Sequence, residues 1–232
     1  VQRGQNIFGY WRLGGDNTWS GNNYFNGHLD EFAIYPRALT AAEVNEHWVA
    51  SGRVSNLPTK PSDAYGSMVF DDDPDLFWRL DETSGNTAND ATWNGQAGSY
   101  VGEKDLGRAG IMAGSNAVNL REPVPGGIFG TGKKDGGSVV STRSITSPTV
   151  FTQEVWVKTT STTGGRIIGF GNSSNAALSS SFDRHMQMLN NGRVMFGAYP
   201  GAEVRVTSTK AVNDGQWHHL VSSLGPDGMK LY

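Results

Sequence analysis

From residue 138 to residue 232, apolar and polar positions alternate in short runs broken by turn residues. The runs are "SVVST", "FTQEVWVKT", "GRIIGFG", "HMQMLNNGRVMFGAY", "EVRVTST" and "WHHLVSSLGPDGMKLY". Successive side chains of a strand point to opposite faces, so a period of two marks a half-buried strand. "NNGR" at 190–193 and "PDG" at 226–228 fall within two of these runs. Asn-Gly and Asp-Gly take positive φ at little cost and close hairpins there. Short strands joined by such turns predict an all-β fold, a sandwich or barrel.

Nearer the start, "YFNGHLDEFAIYPRAL" sets Leu29, Phe32 and Ile34 among polar neighbours. This predicts a half-buried strand that stops near Tyr35, because Pro36 has no N–H for a ladder. "LTAAEVNEHW" follows, with Thr40 at an N-cap position and Glu43 three residues on, the spacing of a reciprocal capping box. Val44 and Trp48 lie four apart, which predicts a short helix at 41–49 docked by that face. Residues 51–67 carry two prolines, two glycines and four serines without periodicity, the composition of a linker. "LFWRLDE" at 76–82 predicts a new strand, and the turn-rich "TSGNTANDATWNGQAGSY" after it predicts long loops. The chain thus reads as 1–50, a linker at 51–67, and 68–232.

Composition narrows the class. The 232 residues include 31 glycines, are 37% hydrophobic and 18% charged, and carry a net charge of −3. Such a balance suits a soluble, turn-rich β protein and gives no basic field for nucleic acid. No apolar stretch approaches the roughly 20 residues that cross a bilayer, and the first residues do not read as a signal peptide, so a mature segment without membrane insertion is expected. Cysteine is absent, so the fold has neither disulfides nor Cys-ligated zinc and is expected to rely on its core or on oxygen-ligated metal.

Four segments resemble one family. "FTQEVWVKTTSTTGGRIIGFG" resembles the strand pair opening the core of laminin G-like jelly rolls, and "NDGQWHHLVSSLGPDGMKLY" resembles their following hairpin. "YFNGHLDEFAIYPRALTAAEVNEHW" is similar to their closing strand and terminal helix, and "FWRLDETSGNTANDATWNGQAGSY" to their first strand. The resemblance implies the concanavalin A-like lectin and glucanase group, with two antiparallel sheets packed face to face as a jelly roll. The closing segment stands first here, as in a piece cut from a tandem array. Residues 1–50 would then complete 64–232 of the same chain, or self-association by strand exchange would complete a neighbour.

The resemblance also frames the chemistry. Laminarinase-type relatives carry E-x-D-x-x-E, two of whose carboxylates do the work of a retaining glycosidase. Here "EKDLGR" at 103–108 has Arg108 where the second glutamate belongs, so no catalytic residues are expected. No H-E-x-x-H or G-x-S-x-G occurs, and His218 and His219 are adjacent, which sends them to opposite faces of a strand. Calcium is implied as a cofactor, with Asp183 and Asn6 as ligands of a rim site and Asp30 and Asp90 as ligands of a second, structural site; the alternatives are that Asp183 pairs with Arg184 or caps a turn and that Asp30 hydrogen-bonds to backbone. Trp11, Trp78, Trp156 and Trp217 fall on strand patterns and are expected in the core. Trp19, Tyr24 and Trp93 fall in Gly/Asn-rich loops, and together with Arg184 and His185 they are the candidate ligand contacts. The expected role is a non-catalytic adhesion module, secreted or at the cell surface, that binds a glycan or a cell-surface protein. The alternatives are a spacer repeat and an accessory module of a larger glycoside hydrolase.

Overall fold

The computed structural model describes residues 8–17, 19, 21–55, 57–121, 136–175 and 177–232. The chain divides into two compact units, Val1–Gly52 and Arg53–Tyr232. In the first, the capping box forms as its spacing predicts. The Glu43 amide donates to Thr40 Oγ1 at 3.2 Å and the Thr40 amide to Glu43 Oε2 at 2.9 Å, starting helix α1, Ala41–Ala50. Arg37 forks onto the same carboxylate at 2.5 and 2.8 Å. These contacts, the Arg37 guanidinium first and the Thr40 amide next, hold the Glu43 carboxyl down at about 2. An unfolded glutamate titrates near 4.3, so this support for α1 is whole above about pH 4.3 and fades as pH falls toward about 2. Hydrogen exchange at the α1 amides is expected to quicken over that window in the wild type. In Glu43→Gln the same interval should be flat.

Three other expectations for this unit are corrected. Leu29, Phe32 and Ile34 are exposed, and no strand forms from Leu29 to Tyr35. Glu31 sits at φ 49°, in the left-handed region, its amide held by Asp30 Oδ1 at 2.9 Å, and this breaks the extended course. Val44 and Trp48 are exposed as well, and so is Trp11, at 77%. No described residue of the unit is buried. A short hairpin-like turn holds residues 14–25: the Asp16 amide donates to Asn23 O and the Phe25 amide to Gly14 O, at 3.1 and 2.8 Å.

The second unit begins where a linker is expected. Residues 64–71 instead form helix α2, Ala64–Asp71, because Asp63 accepts from the Gly66 amide at 2.8 Å as an N-cap. The strands follow as β1 Thr87–Ala88, β2 Gly98–Val101, β3 Lys104–Ala109, β4 Asn116–Leu120, β5 Ser138–Ser141 and β6 Phe151–Lys158. After them come β7 Gly165–Gly171, β8 Phe182–Met188, β9 Arg193–Ala198, β10 Val204–Ala211, β11 Trp217–Gly225 and β12 Gly228–Leu231. All six runs of the alternating region appear as strands. The predicted strand at 76–82 is reduced to a single bridge between Trp78 and Asp90. Part of the expected loop region pairs instead, as β1 and β2.

Among the described residues, every ladder is antiparallel, in the orders β10-β9-β8-β7, β12-β11-β6, β1-β2-β5 and β3-β4. The first two sheets pack face to face as a sandwich. Met186, Met188 and Val194 of one meet Leu220, Val155, Val157 and Leu231 of the other, with Val212 between. Ser222 is wholly buried and its hydroxyl accepts from Gln153 Nε2 at 3.0 Å, so this polar group in the core is satisfied. On the opposite face of β6 and β11, His219 stacks on Trp156 with ring centroids 4.7 Å apart, while His218 turns to Asp214 at 2.8 Å. Tyr65 of α2 covers the stacked pair edge-on and donates to Glu154 at 2.7 Å. Trp156 is therefore packed, but beneath α2 and outside the sandwich core.

Candidate binding face

The sheet β10-β9-β8-β7 has one face in the core and one turned outward. Met186 and Met188 point inward, so His185 and Gln187 share the outer face by alternation. The register places Gly197 opposite His185, Met195 opposite Gln187, and Arg205 opposite Gly197. On the other side Arg166 of β7 pairs with Gln187.

Strand β8 reaches this face through a bulge. Ile168 pairs with Met186 and Phe170 with Asp183, so β8 holds one residue more than β7 between those pairs. Arg184 takes up the excess at φ 50°, a conformation a non-glycine residue holds only when its surroundings enforce it. Those surroundings are visible. Asp183 accepts from the Arg184 amide at 2.7 Å, from the Tyr199 amide at 2.8 Å and from Arg184 Nη1 at 2.9 Å, while Arg184 Nε donates to Pro148 O at 2.7 Å. The Asp183–Arg184 pair is thus a clamp that fixes the bulge and presents the residues on either side of it, Phe182 and His185.

Phe182 is 55% exposed, with its ring 6.1 Å from that of His185 and the Arg166 guanidinium 5.3 Å above it. A Cβ built on Gly169 would lie 2.8 Å from Arg166 Cδ and 3.1 Å from His185 Cβ, so glycine is what lets these side chains close over β7. Burial holds the His185 imidazole below its ordinary pKa, and Arg166 pushes the same way. His185 is therefore neutral at pH 7, and its Nδ1 is buried without a protein partner. Beyond Arg166 the surface dips into a shallow, open depression lined among others by Gln187, Asn190 and Asn191. An exposed aromatic ring, a neutral imidazole, a guanidinium and the Gln187 amide share this face. Chemically this suits a ligand with an apolar ring face and a rim of hydroxyls.

The residues expected from sequence are distributed differently. Trp19 and Tyr24 belong to the first unit, where Trp19 is fully exposed and Tyr24 lies against Gly15. Trp93 belongs to the second and packs edge-on against Phe70 at 5.0 Å, its Nε1 donating to Pro58 O at 3.0 Å. Its loop position reflects cover for α2. Arg184 is engaged in the clamp, and His185 stands on the face. Arg166, Phe182 and Gly169 went unnoticed in the sequence. The readable signal was a glycine inside a strand pattern.

Of the proposed calcium ligands, Asn6 lies outside the described residues. Asp30 is exposed in the first unit beside Glu31. Asp90 is buried and saturated: its Oδ1 accepts from the Phe77 and Thr92 amides, and its Oδ2 from the Gln96 amide and Thr92 Oγ1. Asp183 spends its oxygens on the clamp. Among the described residues no three His, Asp or Glu side chains gather to hold a metal. In "EKDLGR", Asp105 lies between the guanidiniums of Arg108 and Arg121, which hold its carboxyl below the usual carboxylate range.

A laminin G family model, described as concanavalin A-like lectin/glucanases superfamily, matches residues 3–45 and 131–232. No curated protein and no solved structure matches the chain.

Proposed function

The chain belongs to the laminin G-like family of the concanavalin A-like lectin/glucanases superfamily, and from that membership we propose that it is a non-catalytic, extracellular adhesion module that recognises glycan through the outer face of β7–β10. Laminin G-like domains are generally carbohydrate- or partner-binding modules and typically extracellular. Among the described residues no helix is long and apolar enough to cross a membrane. The observation that carries the glycan reading is Phe182, a half-exposed ring held beside the neutral His185 and under Arg166 by a bulge that Asp183 and Arg184 enforce. A sugar stacks its apolar face on such a ring while planar side chains take pairs of hydroxyls. Asp105, clamped as an anion between two arginines, is poorly suited to donate a proton as a glycosidase acid, which supports the non-catalytic reading.

The test is a glycan array followed by calorimetry on each hit, with and without millimolar calcium. Phe182→Ala and His185→Ala are each expected to weaken binding by about tenfold or more, the scale of one lost stacking or buried polar contact. Silence of the wild type across the array in both conditions would overturn the glycan reading and leave the spacer role. Binding unchanged in both variants would move the site off this face. For calcium, Asp30, Asp90 and Asp183 are the candidate ligands among the described residues. A melting temperature that rises with calcium would support the metal, and an unmoved one would remove it from the proposal.

A further inference from the structure

The chain carries the dipeptide Asn-Gly three times, at Asn26–Gly27, Asn94–Gly95 and Asn191–Gly192. An asparagine in this setting is able to react with its own backbone, because the next peptide nitrogen stands within reach of its side-chain Cγ. Glycine opposes the closure least, having no side chain and the widest choice of backbone angles. Two freedoms are needed. The nitrogen must give up its proton, which a hydrogen bond that it already donates resists, and the asparagine side chain must be free to swing toward it. The three dipeptides are identical in sequence, and the fold grants them these freedoms unequally.

At Asn191–Gly192 both are spent. The Gly192 amide donates to Leu189 O at 2.9 Å, and Asn191 Oδ1 accepts from the Arg193 amide at 3.1 Å. Gly192 is also buried, with the Asn213 side chain against it. At Asn94–Gly95 the side chain is held: Asn94 Nδ2 donates to Pro74 O at 3.2 Å and to Asp75 O at 3.3 Å. The Asn94 amide donates to Thr92 Oγ1 at 3.1 Å, and that hydroxyl is in turn bound to the buried Asp90.

Asn26–Gly27 has neither restraint. Both residues are exposed, and among the described residues nothing hydrogen-bonds to the Asn26 side chain or to the Gly27 amide. The turn at 14–25 ends with the Phe25 amide on Gly14 O, and residues 26–39 make no backbone–backbone hydrogen bond among the described residues. The Phe25 ring lies against Gly27 where a Cβ would stand, a place that glycine leaves open.

We infer that Asn26 is a site of spontaneous covalent modification in the folded protein. The Gly27 nitrogen bonds to Asn26 Cγ, the Cγ–Nδ2 bond breaks, and the side-chain nitrogen leaves as ammonia. Water then opens the five-membered imide at one of its two carbonyls, giving aspartate or isoaspartate at position 26. One water enters and one ammonia departs, with no change of oxidation state. The product carries one more negative charge than the native chain, whose net charge is −3. In the isoaspartate form the backbone between Phe25 and His28 also runs through an additional methylene. This inference rests on neither the glycan nor the calcium reading.

The test is prolonged incubation of the full chain at mildly alkaline pH, followed by peptide mapping in a mass spectrometer, which reads conversion of amide to acid at each of the three sites. Asn26 is expected to convert at least about tenfold faster than Asn94 or Asn191, since each of those must first release two contacts. In concentrated urea those contacts are gone, and the three rates should converge. Asn26→Gln would have to close a six-membered ring, so it should lose the early ammonia release and the new acidic band in isoelectric focusing. The melting temperature of the second unit should not move in that variant. A folded chain in which Asn26 converts no faster than the other two overturns the inference. The same spread of rates persisting in urea overturns it too, because neighbouring residues and not the fold would then set the order, as does early ammonia release that survives Asn26→Gln.

Discussion

Asp90→Ala is expected to lower the unfolding free energy of the second unit by about 3 kcal/mol or more, because several buried donors lose their acceptor at once. Asp90 is 7% exposed, and its carboxylate is the acceptor for three backbone amides and one hydroxyl: Phe77, Thr92 and Gln96 N–H and Thr92 Oγ1. Removing it strands those donors in a loop with limited access to water, and each stranded group costs about 1–3 kcal/mol before relaxation. Asp90→Asn is expected to recover only part of the loss. Its carbonyl oxygen can serve one pair of donors, but its amide nitrogen has no lone pair for the other. Urea unfolding of the three proteins checks the order wild type, Asn, Ala. The same loss with and without calcium is expected of a cap, whereas a loss that appears only with calcium would make Asp90 a ligand. A cost below about 1 kcal/mol would mean that water replaces the carboxylate, and the cap would carry little of the fold.

The second large effect is Phe196→Ala, expected to cost about 3–5 kcal/mol by the usual penalty for emptying a buried aromatic site. Phe196 is fully buried on β9 and meets Phe151 of β6 edge-on, at 6.0 Å and 89°, so one contact joins the two sheets. The contrast with Phe182 is the useful part. Phe182 is more than half exposed, and Phe182→Ala should change stability by less than about 1 kcal/mol while it weakens ligand binding. If Phe182→Ala unfolds the protein as readily as Phe196→Ala, the ring is part of the core and the proposed face is lost.

Much of the second unit was legible. "HMQMLNNGRVMFGAY" became β8, a turn and β9, with Gly192 at φ 78°. "WHHLVSSLGPDGMKLY" became β11 and β12, closed at Gly225–Gly228. The capping box at Thr40 and Glu43 formed as spaced. The misses share a cause. Helix α2 was hidden because Ala64–Asp71 has weak helical character, and its stability comes from the Asp63 cap and from Tyr65 packing on a distant sheet. Trp93 was read as a loop aromatic awaiting a ligand because Phe70 and Pro58 are not its neighbours in sequence. Leu29 to Tyr35 was read as a strand because periodicity reports which residues seek burial, and says nothing of whether a partner strand is present.

By itself the sequence determined the all-β class, the strands from 138 onward, their turns, the helix beginning after Thr40 and the family. These features rest on interactions over two to four residues, where alternation, caps and turn conformations are decided locally. Only the tertiary structure decided that Asp183 and Arg184 clamp a bulge, that Gly169 makes room for His185 beside Phe182, and that Asp90 gathers donors from Phe77 to Gln96. Each of these depends on which distant segments the ladders bring side by side, and on a residue's being forced into a conformation it would not choose alone. Local pattern sets what each segment can form; burial against particular neighbours selects what it does.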